Sequence, residues 1–517
     1  MSEAIDATQQ KTTVTAHQIN ISVAKQLGDL VKSTLGPYGM DKEMVDAAGK
    51  VVMTNDGATI LKETNLKHPT ATIITEIART QEENCYDGTT SSVVITGELM
   101  EKSSQLLNKN IHPTRIAKGF NIANNKAQEL LKDIAVEVDE EILHSIAKTA
   151  MTGKSVESDD SVLAQICVDV TKSTSLENIS VLRRPNGKVS DSLAIAGILV
   201  DREKVHYNMP DTISDAKIAL IDVDITLPEF AQTIQVQVHT NEDVKEFIDS
   251  RNAQLQEIAE KILASGANVV LCVRDIDTFV SEYFAKKGIF AARRVAKSDL
   301  EAVSKATGAR IVSSIDGLAS SDLGESGLVE EVLVGDKPII KMTDNKTSEA
   351  VSVLLRAPTQ HVVDEVARAF EDAIGVVSVA LEDNRVLAGG GAPYLHVSKE
   401  LKEFANSVGG REQMAVTAFA EALEIIPAAL AENSGLDPLD TLIALRQLHT
   451  AGNGGTIGVD VENGGGIDML ENGVLEPLRV VSQALQSASN VSSQLLRIDN
   501  IIEMVRGPEI GEDGFDY

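Results

Sequence analysis

Aromatic residues and cysteine are scarce in this 517-residue sequence. It has no tryptophan and three cysteines, and aromatic residues make up 3% of the chain. The cores must therefore be aliphatic, built from Val, Ile, Leu and Ala. Cys85, Cys167 and Cys272 lie far apart and form no metal-spaced pair. An odd number of cysteines is typical of a reduced intracellular protein, so we expect a cytoplasmic location.

Long apolar runs are also missing. No stretch of 18 apolar residues could form a membrane-spanning helix, and the polar segment 1–17 lacks the apolar core of a signal peptide. We therefore expect no secretion signal and no contact with a membrane.

Positive charge is in short supply as well. Lys and Arg total 47 against 77 Asp and Glu, so the formal net charge is −30. This excess argues against nucleic acid or an anionic membrane as the main partner, because both attract clustered Lys and Arg. A nucleotide could still bind if a helix N-terminus or a metal ion supplied local positive charge.

The order of segments predicts an α/β domain inserted into a mostly helical chain. The first third predicts a helix that ends at Gly36-Pro37 and a strand at 51–54. The middle third alternates helices with short strands at 234–238, 268–272, 289–295 and 310–313, and Ser298 with Glu301 has capping-box spacing. The last third predicts an amphipathic helix over 361–381 and a final helix that ends near Met504.

Glycine-rich turns at 34–37, 55–59, 87–90 and 389–392 are the strongest candidates for a site. Each combines glycine with a hydroxyl, a carboxylate or a predicted helix start, which suits phosphate binding by backbone N–H groups. Asp56 and Asp87 could ligate Mg²⁺, which prefers one or two carboxylates together with phosphate oxygens. For each turn taken alone, an ordinary helix cap is the alternative interpretation.

Lys154 and Asp372 are two further candidates. Gly153-Lys154-Ser155 looks like the end of a P-loop, but position 148 is lysine where the first glycine should stand, so the P-loop interpretation fails. Lys154 either contacts a phosphate or is solvated. Asp372 lies on the predicted amphipathic helix, where it is either a solvated carboxylate or a group that orients and deprotonates an attacking water.

The turns stand in an order that resembles the chaperonins. The string Ser33-Thr34-Leu35-Gly36-Pro37 resembles the first phosphate loop of that family, Thr54 to Ile60 resembles the second, and Asp87-Gly88-Thr89-Thr90 resembles its metal-binding turn. Further matches occur at 110–114, 266–270, 293–295, 305–309, 476–480 and 496–499. Several of these strings are those of group II, the archaeal and eukaryotic cytosolic type.

The resemblance implies a multidomain chaperonin fold. A mostly α-helical equatorial domain would comprise 1–143 and 384–517, and a small α/β intermediate domain would comprise 144–205 and 357–383. An α/β apical domain would cover 206–356, with a helical lid protrusion at about 240–261. The implied function is an ATP hydrolase coupled to protein folding, in which a double ring of homologous subunits encloses non-native polypeptides.

The resemblance also implies roles for individual residues, with ATP and Mg²⁺ as cofactors. Asp87 would ligate Mg²⁺, Asp56 and Asp372 would place the attacking water, and Lys154 would sense the γ-phosphate. The remaining nucleotide contacts would come from Thr34, Leu35, Gly36, Pro37, Asn55, Gly57, Gly88, Thr89 and Thr90, with Gly390 and Glu476 on the ribose side.

The sequence departs from the family pattern at a few positions. Tyr86 stands where the family usually has glycine, and a tyrosine at positive φ would cost about 1–2 kcal/mol. Tyr38 replaces a residue that is usually basic, and Arg274-Asp275 replaces Lys-Gly. Two alternatives stay open: a ring-completing or holdase paralogue with weak ATPase activity, and an ATPase whose apical domain binds RNA or a membrane.

Overall fold

The computed structural model describes residues 16–45, 49, 51–64, 66–152, 160–227, 241–335, 337–346, 350–450 and 454–500. The chain forms two compact units, one of residues 1–154 with 375–517 and one of residues 155–374. The helices within the described residues are α1 (Ala16–Lys32), α2 (Gly57–Glu63), α3 (Pro69–Cys85), α4 (Thr89–Asn108), α5 (Pro113–Ile134), α6 (Glu140–Met151), α7 (Asp160–Ser173), α8 (Asn241–Ala264), α9 (Thr278–Lys286), α10 (Lys297–Thr307), α11 (Gln360–Asp383), α12 (Ala392–Ala405), α13 (Glu412–Leu423), α14 (Ile425–Asn433), α15 (Pro438–Thr450) and α16 (Leu478–Leu495).

The strands within the described residues range from two to eleven residues in length and belong to several separate sheets. They are β1 (Lys42–Val45), β2 (Val51–Thr54), β3 (Val136–Glu137), β4 (Ile179–Arg184), β5 (Leu193–Ala196), β6 (Ile198–Val200), β7 (Thr212–Ile221), β8 (Val269–Cys272), β9 (Phe290–Ala292), β10 (Ile311–Val312), β11 (Gly324–Val334), β12 (Lys337–Asn345), β13 (Val351–Arg356), β14 (Arg385–Ala388), β15 (Ile457–Val459), β16 (Gly466–Asp468) and β17 (Leu475–Pro477).

The first unit is a bundle of helices around α4 and α16. Helix α4 packs on α1, α3, α13 and α16, and α5 packs on α13 and α16. Phe120 and Phe419 meet edge to face, with ring centroids 5.8 Å apart. Helices α1 and α4 approach closely because Gly28 faces Gly97, where a Cβ would lie 3.4 Å from the opposing Cα. Sheet β17-β14-β3 and the pairs β1-β2 and β15-β16 belong to the same unit.

The second unit is built around a seven-stranded mixed sheet of order β6-β12-β11-β7-β8-β9, with β10 paired to β7. Strand β8 is buried along its whole length, and its side chains alternate between two cores. Val269 and Leu271 pack on the face covered by α10, whereas Val270 and Cys272 pack on the face covered by α8 and α9. Because both faces are covered, the strand reads as a continuous apolar run in the sequence. A smaller sheet, β4-β13-β5, belongs to the same unit.

Most of the predicted elements in the described residues are confirmed. Helix α1 ends before Gly36, β2 and β8 lie where the apolar runs predicted strands, and α10 ends at Gly308, which has a left-handed φ of 76°. The strand predicted at 234–238 lies outside the described residues. The predicted lid segment, from residue 241 onward, falls within α8, whose C-terminal half packs through Leu255, Ala259 and Ile262. Its action as a lid and the three-domain division remain predictions.

Two details of the prediction are wrong. The last helix ends at Leu495 rather than near Met504. The capping box at Ser298 does not form, because α10 begins at Lys297 and its N-cap is Ala296. Ser298 is therefore inside the first turn, and its hydroxyl donates to Asp299 at 3.4 Å instead of bonding the backbone.

One helical stretch, Glu412–Asn433, is apolar and long enough by composition to cross a membrane. It comprises α13 and α14, and 72% of the apolar window is buried inside the protein. Its side chains, among them Phe419 and Leu423, belong to the core of the first unit. The apolar composition is thus explained by packing within a helical bundle.

The corrected helix start can be tested by comparing two caps in the second unit. Asp277 caps α9 by accepting a hydrogen bond from the Phe279 N–H at 2.8 Å. We expect Asp277→Ala to lower the free energy of unfolding by about 1 kcal/mol or more, because a cap and an ion pair with Arg251 are lost. We expect Ser298→Ala to change it by less than about 0.5 kcal/mol. Thermal unfolding followed by circular dichroism measures the stability of both variants. Equal losses in the two would indicate that Ser298 does cap α10.

Candidate functional site

The N-terminus of α4 is open to an anion. Its N-cap is Gly88, which has a φ of 78° and provides no side chain to bond the first N–H groups. The neighbouring Asp87 carboxylate accepts a hydrogen bond from the Gly88 N–H at 2.7 Å. The N–H groups at the start of α4 therefore present the positive end of a 20-residue helix without a side-chain cap.

The turn at Asp56 meets this helix end. Asp56 caps α2, accepting from the N–H groups of Ala58 at 3.4 Å and Thr59 at 2.7 Å. The hydroxyl of Thr89 donates to the same carboxylate at 3.4 Å. Gly57 packs against Thr90, and a Cβ at Gly57 would lie 2.7 Å from the Thr90 hydroxyl. The predicted second and third turns are thus in contact, and only glycine allows that approach.

The side chain of Gln81, which was not predicted as a site residue, holds the backbone at Asp87 by a hydrogen bond. The amide of Gln81 donates to the carbonyl oxygen of Asp87 at 2.9 Å and to that of Val480 at 3.0 Å. Gln81 is fully buried. Because one amide bonds both carbonyls, it connects the 87–90 turn to the start of α16. A buried glutamine one turn before the helix end carries no signal of this role in the sequence.

Glu476 adds a second carboxyl group next to Asp87. Glu476 lies on β17 and pairs with Leu387 of β14. Burial, and then the charge of Asp87, raise the pKa of Glu476 to about 8. Burial, followed by the charge of Glu476, likewise raises the pKa of Tyr394, while a hydrogen bond with Ser91 opposes the rise. Ser91 and Tyr394 were not predicted, although each follows closely on a predicted glycine turn.

The turn at 389–391 continues directly from β14. The N–H of Gly389 donates to the Val474 carbonyl at 2.8 Å, and the carbonyl of Gly390 accepts from the Val459 N–H at 2.9 Å. Gly390 has a φ of 61°, and a Cβ there would lie 2.6 Å from the methyl group of Met469. Since β14 pairs with β17, this turn belongs to the same assembly as Glu476.

The first predicted loop, Thr34 to Pro37, follows α1 and is fixed by α14. The side-chain amide of Asn433 donates to the carbonyls of Lys32 at 3.0 Å and Leu35 at 2.8 Å. A Cβ at Gly36, whose φ is 84°, would lie 2.4 Å from Leu430. Pro427 of the same helix packs on Gly391. Helix α14 therefore supports both the first loop and the 389–391 turn.

Three further predicted residues are placed only by their position in the chain. Lys154 lies outside the described residues. Asn55 connects β2 to the Asp56 cap. Asp372 lies on α11 within the second unit, where its side chain is partly buried. The roles assigned to these residues remain predictions.

The donor set suits a hard cation shared with a phosphate. Within the described ranges, His, Cys, Asp and Glu side chains do not gather in a group of three or more that could hold a metal by themselves. Mg²⁺ is commonly bound by one or two carboxylates together with phosphate oxygens and water. Asp87 beside an uncapped helix N-terminus offers this combination, with N–H groups for the anion and carboxylate oxygen for the cation.

Known proteins of similar sequence cover almost the whole chain. The TCP-1/cpn60 chaperonin family model matches residues 27–506. A thermosome subunit of Methanopyrus kandleri is 47% identical over 500 residues, covering 94% of this chain and 92% of its own length. A thermosome subunit of Methanocaldococcus jannaschii is 47% identical over 514 residues, covering 97% of this chain and 95% of its own.

A solved structure supports the same assignment. It is the open-state monomer of a group II chaperonin from Methanococcoides burtonii, which is 40% identical and superposes with a TM-score of 0.64. The match covers 80% of this chain and 100% of that one. The chain therefore belongs to the TCP-1/cpn60 chaperonin family, as a group II chaperonin subunit.

Proposed function

We propose that this subunit binds Mg-ATP at the site formed by the turns at 34–37, 55–59, 87–90 and 389–391, and hydrolyses it to drive protein folding. The observation that carries the proposal is the contact between the Asp56 turn and the Gly88 turn at two helix N-termini. Homologous subunits would assemble into a double ring that encloses a non-native polypeptide. We place the protein in the cytoplasm.

Different residues of the site would contact the phosphates, the cation and the attacking water. The N–H groups of Gly88, Thr89 and Thr90 would donate to phosphate oxygens, because the end of α4 has no side-chain cap. Asp87 would hold Mg²⁺, which when bound neutralises the charge that develops on the phosphates. Asp56 would accept a hydrogen bond from the attacking water and orient it.

The ribose side would be formed by Gly390 and Glu476. Glu476 holds its proton at neutral pH because burial and Asp87 raise its pKa to about 8. A protonated carboxyl both donates and accepts hydrogen bonds, which matches the two roles of a ribose hydroxyl. Asp372 and Lys154 would complete the site from outside this group, Asp372 acting on the water and Lys154 on the γ-phosphate.

A ring-completing or holdase subunit with weak ATPase activity is the competing hypothesis. It depends on Tyr86 impairing the metal turn. The carboxylates Asp56, Asp87 and Asp372 are all present in the chain, and the relatives are thermosome subunits at 47% identity. The hypothesis of an active ATPase therefore accounts for more of the observations.

The first test separates ATP binding from hydrolysis. We expect Asp372→Ala to bind ATP with nearly unchanged affinity and to hydrolyse it at least about 100-fold more slowly, because a positioned base contributes about 10²–10⁴ to the rate. Steady-state phosphate release and nucleotide binding by calorimetry measure the two quantities. Glu365→Ala, which removes another carboxylate from α11, is the matched control. Turnover by Asp372→Ala equal to that of the wild type would rule out the assigned role.

The second test uses the raised pKa of Glu476. A carboxyl whose pKa is higher in the folded state binds its proton more tightly there, so its contribution to stability declines as the pH rises from about 4.5 to about 8. We expect Glu476→Gln to remove this decline, so that the variant gains stability relative to the wild type over that range.

Thermal unfolding of the ligand-free protein at pH 5, 7 and 8.5 measures the effect. Glu471→Gln, on an exposed turn before β17, is the matched control. A melting-temperature difference between Glu476→Gln and the wild type that did not vary with pH would contradict the prediction. Asp87→Asn should reduce the pH dependence, because it removes the second cause of the shift.

A further inference from the structure

Tyr86 occupies a backbone position that glycine adopts more readily. It follows α3 as its C-cap with φ 59° and ψ 3°, and its N–H donates to the Glu82 carbonyl at 2.9 Å. Few residues other than glycine and asparagine adopt this left-handed conformation at a helix end. The next residue is Asp87, so the conformation of Tyr86 also sets the start of the metal turn.

The ring of Tyr86 lies against Gly375 in the middle of α11. A Cβ at residue 375 would lie 2.1 Å from Cγ of Tyr86 and 2.5 Å from each Cδ. No residue larger than glycine fits while the ring is there. Glycine is among the least favourable residues in a helix interior, and its presence in a 24-residue helix is explained by this contact.

A second contact holds the same half of α11. The guanidinium of Arg479 donates to Asp383 at 2.7 Å and to Glu382 at 3.0 Å. The carbonyl of Arg479 lies 3.8 Å from the thiol of Cys85, the residue before Tyr86. The segment of α11 from residue 375 to 383 is thus attached at both ends to the part of the first unit that carries the metal turn.

We propose that the Tyr86–Gly375 contact sets the position of α11 for hydrolysis, which makes Tyr86 a positioning residue for Asp372. Asp372 lies three residues before Gly375, close to one turn of the same helix, so a shift at Gly375 is carried to it. The proposal rests on the proposed ATPase function. According to this proposal, the large ring of Tyr86 fills the space left by the absence of a side chain at Gly375. Neither residue then impairs the turn that begins at Asp87.

The test exchanges the volumes of the two side chains. Tyr86→Gly leaves a gap beside α11, and Gly375→Leu places a side chain where the ring lies. We expect each to lower kcat for ATP hydrolysis about tenfold or more, since a displacement of about 1 Å can cost 10²-fold. The KM for ATP should stay within about threefold, because the nucleotide contacts are not removed. The double variant should recover kcat to within about threefold of the wild type.

Two controls separate positioning from general damage. Tyr86→Phe keeps the ring and should turn over ATP like the wild type. Gly409→Ala, at an exposed glycine with no neighbour within 4 Å of the added Cβ, should have no effect. All rates are measured where circular dichroism shows each variant to be folded. Losses that multiply in the double variant, or a rise in KM equal to the fall in kcat, would overturn the proposal.

The same variants distinguish failure of this inference from failure of the proposed function. If the wild type hydrolyses ATP and Gly375→Leu does so equally fast, the ATPase function stands and the positioning role falls. If the wild type hydrolyses none, the proposed function falls, and so does the positioning role. Melting temperatures of the four proteins then still show whether Tyr86 and Gly375 are coupled, because additive shifts would exclude the contact.

Discussion

The site depends on two helix N-termini that meet without repelling each other. Gly57 brings the start of α2 against the start of α4, so two positive helix ends lie side by side. Such an arrangement is unfavourable unless negative groups occupy it. Asp56 and Asp87 are those groups, one capping α2 and the other bonding the Gly88 N–H. In a chain with a net charge of −30, the backbone N–H groups at these two helix starts thus supply local positive potential.

The acidic groups next to these turns would repel one another if all of them were ionised. Asp87, Glu476 and the buried Tyr394 influence one another electrostatically, and burial is the largest cause of the raised pKa of both Glu476 and Tyr394. If all three ionised, three negative charges would be confined in a poorly solvated space. Retaining the proton on Glu476 avoids this accumulation of charge. Under the proposed function, the two carboxyl groups would serve different ligands because their surroundings differ.

The sequence predicts the individual turns but not the contacts between them. Each turn is local, so glycine, aspartate and threonine were enough to place it. The contact between Gly57 and Thr90, and the support of the 34–37 loop by Asn433, join distant segments and carry no periodic signal. At Ser298 the local pattern was misleading, because α10 begins one residue before it and Asp299 supplies the first-turn carboxylate instead. From the sequence alone, Tyr86 is an unfavourable residue for a left-handed backbone position. The glycine that accommodates its ring, Gly375, lies in another helix.

The place of Gly375 in α11 has a mechanical consequence for Asp372. The division between the two compact units falls between Ile374 and Gly375, inside one continuous helix. At a rise of 1.5 Å per residue, Asp372 is about 4.5 Å from this point and His361 about 21 Å. A rotation of about 10° at Gly375 would move His361 by about 3.7 Å and Asp372 by about 0.8 Å. If Asp372 positions the attacking water as proposed, its displacement of about 0.8 Å would change the rate of hydrolysis by up to about 100-fold.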